Sequence, residues 1–137
     1  MSAEKNRGEV VRYWRSKAEE SLSSAKRELD AGALTFAMNR TYYATFYAVS
    51  AALLEGHARF KKHAGVRAAF HREFIRSKLL DVRWGKFYDQ LFQDRQEGDY
   101  LALIEFDRIY VEDQMARCHQ FLAHLRPMVS SLREKRL

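Results

Sequence analysis

The chain reads as an all-α antiparallel bundle of four or five helices, and three observations predict it. Apolar residues recur at steps of three and four through most of the 137 residues. One proline and six glycines are too few for the tight turns of a sandwich or barrel. No stretch shows the period-two alternation of a half-buried strand. The length suits one domain, and a hydrophobic fraction of 47% argues against disorder.

From Glu9 to Ala31 the apolar positions are Val11, Trp14, Ala18, Leu22, Ala25 and Leu29, an amphipathic stripe. Gly32 follows as a helix-terminating glycine, because only glycine enters the left-handed conformation cheaply. A second helix is expected from Leu34 to Glu55, apolar and aromatic on nearly every side, with Gly56 ending it in the same way. His57 to Lys62 reads as a basic connector, and His63 to Lys78 as a third helix burying Val66, Phe70 and Phe74. The fourth, Val82 to Glu97, should bury Trp84, Phe87, Leu91 and Phe92 and stop at Gly98.

Asp99 to Phe106 reads as a loop, after which Asp107 caps the last helix. Val111, Met115, Cys118, Leu122, Leu125, Val129 and Leu132 then form a heptad seam suited to another helix or a second protomer. Pro127 predicts a kink or an end near Arg126. The organisation expected is a flexible stretch over 1–8, one domain over 9–129 and a frayed tail over 130–137.

Several chemistries lack a sequence basis. There is no glycine-rich phosphate loop, no GxGxxG and no Gly-x-Ser-x-Gly elbow. His119 and His124 stand five apart, on different faces of a helix, and Cys118 is the single cysteine, so no metal and no cofactor is expected. No apolar run reaches membrane-spanning length, and MSAEKNRGEV lacks a secretion signal's apolar core. With one cysteine, the expected location is the reducing cytoplasm.

Charge is unevenly spread. His57 to Lys86 holds nine Lys/Arg against Glu73 and Asp81, whereas Asp89 to Asp113 holds eight Asp/Glu against Arg95 and Arg108. Such blocks fit a polyanion footprint beside an acidic surface, or solvated faces that cancel across neighbouring helices. Arg40 lies inside the aromatic helix and cannot shed its charge there. It therefore needs a partner, with a buried carboxylate expected ahead of a role in a cleft.

Asn39-Arg40-x-Tyr42-Tyr43-Ala44-x-Phe46, then Lys62-His63-x-Gly65 with Phe70, then Arg95-Gln96-Glu97-Gly98-Asp99-Tyr100 resemble the HEPN superfamily, from about Glu19 to about Leu125. The resemblance is to small stand-alone members encoded beside a minimal nucleotidyltransferase. It implies a dimerising helical bundle with a nucleic-acid or nucleotide cleft between protomers. Many members are metal-independent ribonucleases with an Arg-x(4–6)-His centre, others bind RNA or nucleotide without cleavage, and several are toxins whose antitoxin is the nucleotidyltransferase.

This chain departs from that pattern, because four residues after Arg95 the next position is Tyr100, not histidine. Arginine still offers a bidentate grip on phosphate. A phenol with a pKa near 10 is a poor general base at neutral pH. The candidate catalytic residues are Arg95, Tyr100 and, as a substitute base in the basic run, His63. The candidate RNA- or nucleotide-binding residues are Arg40, Arg95, Asp99, Lys62 and Arg67. Tyr42, Tyr43, Phe46 and Tyr47 are expected in core and dimer packing rather than as a stacking platform.

Three functions fit these residues. The first is an RNA- or nucleotide-binding HEPN protein, half of a toxin–antitoxin-like pair with a nucleotidyltransferase. The second is a metal-independent endoribonuclease using Arg95 with His63 or Tyr100. The third is a helical protein-interaction module whose basic stretch meets an acidic partner.

Overall fold

The computed structural model describes residues 3–56, 62–100 and 105–136, with side chains at 5–56, 65–99 and 105–132. Five α-helices make up the bundle: α1 (Ala3–Asp30), α2 (Leu34–Glu55), α3 (Lys62–Phe70), α4 (Val82–Tyr100) and α5 (Arg108–Arg136). A single π-helical turn, His71–Ile75, continues α3. There is no strand among the described residues.

α2 is the central helix and packs against all four others. Its composition explains this: Ala37, Met38, Tyr42, Ala44, Val49 and Leu53 are all buried, and an edge carrying Arg40, Tyr43 and Tyr47 is left half-buried beside an exposed Phe36. Thr41 and Thr45 are tolerated inside because their hydroxyls donate to the carbonyls of Ala37 and Thr41, at 2.8 and 3.2 Å. α1 folds back on α2 through Gly32, whose φ of +79° is the left-handed geometry that glycine accepts.

Of the two other glycines read as helix stops, Gly56 does end α2, though not in the left-handed conformation, and Gly98 does not end α4; both serve packing. Gly56 has φ −81°, outside the left-handed region, and a Cβ there would lie 2.5 Å from Leu132 Cδ2. Gly98 lies inside α4, which runs on to Tyr100, and a Cβ there would press on Phe106 and Thr35 at 3.1 Å. Close helix approach is the requirement at both positions.

Other boundaries differ from the periodic pattern. α1 begins at Ala3, ahead of Glu9, because the polar residues before Glu9 propagate the helix without needing a buried face. α5 does not end at Arg126: it contains Pro127 and reaches Arg136. The third helix stops being α-helical at Phe70, where the π turn begins. The basic connector over 57–61 lies outside the described residues.

The heptad seam of α5 is consumed within the chain except at Leu122, which is half-buried. Val111, Met115, Cys118, Leu125, Val129 and Leu132 are buried in the common core, and α5 packs chiefly on α2. Phe121, between seam positions, meets Phe70, Trp84 and Phe87 at centroid distances of 5.6, 5.5 and 5.8 Å. Aromatic pairs of this kind contribute about 0.5–1.5 kcal/mol each beyond area burial. α4 is also pinned to α5 by polar groups. Asp94, 4% exposed, accepts from Gln90 Nε2 at 2.9 Å and from the Tyr110 hydroxyl, which in turn accepts from Gln114.

Candidate anion-binding site

Arg95 lies one turn before the end of α4, facing α2. Its guanidinium carbon sits 5.3 Å from the Tyr42 ring centre and 5.5 Å from that of Tyr43. Nη2 donates to the Tyr43 hydroxyl at 3.1 Å, and Nε lies 3.0 Å from Asp99 Oδ2. The Nε contact is an ion pair without an aligned hydrogen bond, so this buried nitrogen is left without a hydrogen-bond partner among the described residues. Two rings and one carboxylate thus hold a permanently charged group in a single orientation.

Arg67, on α3, repeats the arrangement one α4 turn away. Its guanidinium carbon lies 4.1 Å over the Phe92 ring, and Nη1 donates to Asp89 Oδ1 at 2.8 Å. Phe92 and Tyr42 meet edge-on with centroids 6.0 Å apart. Two arginines therefore bracket one aromatic pair, with side chains 31% and 18% exposed for Arg67 and Arg95. Burial pushes the Tyr42 phenol up to about 12, against the opposing pull of Arg95, so it stays neutral beside them.

Asp89 also takes His71, whose Nε2 lies 2.9 Å from the same Oδ1. His71 opens the π turn, and its ring lies against Gly85, where a Cβ would be 2.7 Å from Cε1. π turns recur at functional positions because they aim a side chain that regular helix would turn away. The sequence pattern did not single out His71. A histidine four residues after Arg67, with an acid and a glycine spaced four apart on the next helix, was the available signal.

On the other side of Arg95, Arg40 corrects the expectation of a carboxylate partner. Nε donates to Ser24 Oγ at 3.2 Å and Nη1 to Asn39 Oδ1 at 2.6 Å, both neutral acceptors. The half-buried edge of α2 facing α1 is polar enough to host the charge. Asn39 Nδ2 points to Asp99 Oδ1 at 3.5 Å, so Arg40 and Arg95 are joined through Asn39 and Asp99.

Arg40, Asn39, Arg95 and Asp99 therefore come together, with Tyr43 among them, and Arg67 lies across the Tyr42–Phe92 pair. The side chains of Lys62, His63 and Tyr100 lie outside the described residues. No group of three metal-ligating side chains occurs among the described residues.

The HEPN domain model matches residues 11–127. The chain belongs to the HEPN family. Of this HEPN chain, 124 residues are 41% identical to a UPF0332 protein of Thermotoga maritima, over 90% of this chain and 94% of the relative. A Methanocaldococcus jannaschii protein named "Putative toxin MJ0142" is 37% identical over 106 residues, 77% of this chain and 72% of its own. A second from that organism, "Putative toxin MJ0605", is 34% identical over 83 residues, 61% of this chain and 62% of its own. No helix among the described residues is long and apolar enough to cross a membrane.

Proposed function

We propose that this HEPN protein binds RNA or a nucleotide through phosphate contacts centred on Arg95, and that it is the HEPN half of a toxin–antitoxin-like pair with a nucleotidyltransferase. The supporting observation is the pair Arg67 and Arg95, each stacked on an aromatic ring and tied to one carboxylate. Guanidinium groups fixed in this way meet phosphate without further ordering cost. The names of the Methanocaldococcus relatives support the toxin side of the reading. Family resemblance supports a homodimer, and Tyr43, Phe46, Tyr47 and Phe92 are half-buried in the chain.

The decisive measurement is fluorescence anisotropy of a single-stranded RNA titrated with protein across a salt series. Affinity should fall as salt rises, with a slope of roughly 0.7 per phosphate contact on single strands. Arg95→Ala should weaken binding and shallow that slope. Salt-independent binding, or none at low salt, moves the protein to the class of protein-interaction bundles.

A further inference from the structure

A polar groove of about 400 Å³ runs between α1 and α2, with Tyr43 in its lining. We propose that it is a second phosphate subsite, continuous with the Arg95 site and occupied by phosphoryl oxygens of the same RNA or nucleotide. The inference rests on the reading of Arg95 as a phosphate contact, and extends the ligand's path to a helix not used so far.

Three features support it. First, the lining is a donor array: α1 contributes Lys17, Ser21, Ser24 and Arg27, and α2 contributes Arg40 and Tyr43. On α1 these residues recur at steps of four, three and three, one continuous stripe, and Arg40 and Tyr43 face it from α2.

Second, the charge is unbalanced. Glu20 is the acid of the lining and lies 3.6 Å from Lys17, in an exposed pair that holds neither partner firmly. Arg40 is satisfied by Ser24 and Asn39 alone, so its positive charge meets no carboxylate among the described residues. Arg27 is exposed, and its guanidinium has no described partner. An anion entering here gains two uncompensated guanidinium groups and the hydroxyls of Ser21 and Ser24.

Third, the groove is wired to Arg95. Tyr43 lines it and accepts a hydrogen bond from Arg95 Nη2, while Asn39 and Asp99 link Arg40 to Arg95 along a second route. A ligand with more than one phosphate can span both arginines without leaving the protein surface. A monoanionic carboxylate can fill only one of them.

The test uses two probes, ATP and a single-stranded RNA lacking a 5′-phosphate, against the full-length chain and three variants: Arg27→Glu, Arg40→Gln and Arg95→Ala. Arg27 is exposed and unpaired, so its reversal leaves the fold intact, and circular dichroism checks the other two. Arg27→Glu and Arg40→Gln should each weaken binding of at least one probe tenfold or more. Amide shifts on titration with inorganic phosphate should include Ser21, Ser24 and Arg27. Loss for ATP alone identifies a nucleotide's phosphate chain, loss for RNA alone identifies its backbone, and loss for both identifies phosphoryl oxygens common to the two.

If Arg95→Ala weakens binding while Arg27→Glu and Arg40→Gln do not, the groove inference is overturned and the Arg95 reading stands. If the groove variants weaken binding and Arg95→Ala does not, the groove stands as an independent site. Unchanged affinity in all three overturns both.

Discussion

Arg95 and Tyr43 contact each other twice: Nη2 donates to the phenol oxygen at 3.1 Å, and the guanidinium carbon lies 5.5 Å from the ring centre. The same tyrosine lines the α1–α2 groove. One side chain thus belongs to both candidate phosphate positions, which makes the pair a natural place to separate binding from folding.

Arg95→Lys should retain the fold and lose much of the binding. A lysine keeps the charge but loses the planar fork that reaches Tyr43 and Asp99 together. The expected outcome is a thermal midpoint within a few degrees of wild type and at least tenfold weaker RNA affinity. Full affinity in Arg95→Lys would show that charge alone matters at this position.

Cleavage of RNA should be absent or very slow in the wild-type chain, and insensitive to EDTA if present. A positioned proton-transferring group is worth roughly 10²–10⁴-fold in rate, and the Arg-x4-Tyr pattern lacks the imidazole. Tyr100→His should raise cleavage measured on a labelled RNA, and Arg95→Ala should remove it. Robust wild-type turnover lost in His63→Ala would instead place the base on α3. Turnover lost in His71→Ala would assign it to the imidazole paired with Asp89.

Removing the Tyr110 hydroxyl should be costly for a single oxygen atom. Asp94 is buried, and Tyr110 and Gln90 are its hydrogen-bond donors among the described residues. A buried carboxylate that loses a donor costs on the order of 1–3 kcal/mol. Tyr110→Phe should therefore lower the urea midpoint clearly, with little change in RNA affinity. An unchanged midpoint would mean that water replaces the phenol at no cost.

Alkaline pH should unfold the protein through its buried acids. Burial raises the Tyr42 phenol from 10 to about 12 and the Cys118 thiol from 9 to about 12, and pushes Tyr88 up in the same direction. In the folded chain these groups hold protons that the unfolded chain releases, so stability falls as pH rises. Their contribution is whole below pH 9 and is lost progressively from there through 12. Tyrosinate absorbance should show Tyr42 and Tyr88 ionising together with loss of helix. Reversible ionisation of every phenol near pH 10 with helix retained would contradict this burial.

A homodimer is expected in solution, with a total interface of roughly 1,600 Å² or more. The seam of α5 is not the surface for it, since all of that seam but Leu122 is buried in the common core. Sedimentation equilibrium at micromolar concentration checks the mass, and a monomer would remove the shared-cleft arrangement from the proposal.

Helix number, the central place of α2 and the left-handed turn at Gly32 were all legible in the residues. Each follows from a rule acting within a few positions of the chain: apolar periodicity, an all-apolar helix seeking the core, and glycine's freedom at positive φ. Asn39, Arg40, Arg95 and Asp99 could be named from their motifs, but not shown to be neighbours.

Only the tertiary structure decided what lay between helices. Gly98 looks like a helix stop in sequence, yet it lies inside α4 and is small because Phe106 and Thr35 press against it, while Gly56 ends α2 as expected and also admits Leu132. The α5 heptad seam fits an intramolecular or an intermolecular partner equally well, and packing assigned it to α2. Arg40 called for a carboxylate by local reasoning and received Ser24 and Asn39, because the edge it occupies opens into a polar groove. The pairing of His71 with Asp89 and the donor stripe of α1 depend on which faces of separate helices meet. That register is set by the sum of core contacts, and no short stretch of residues contains it.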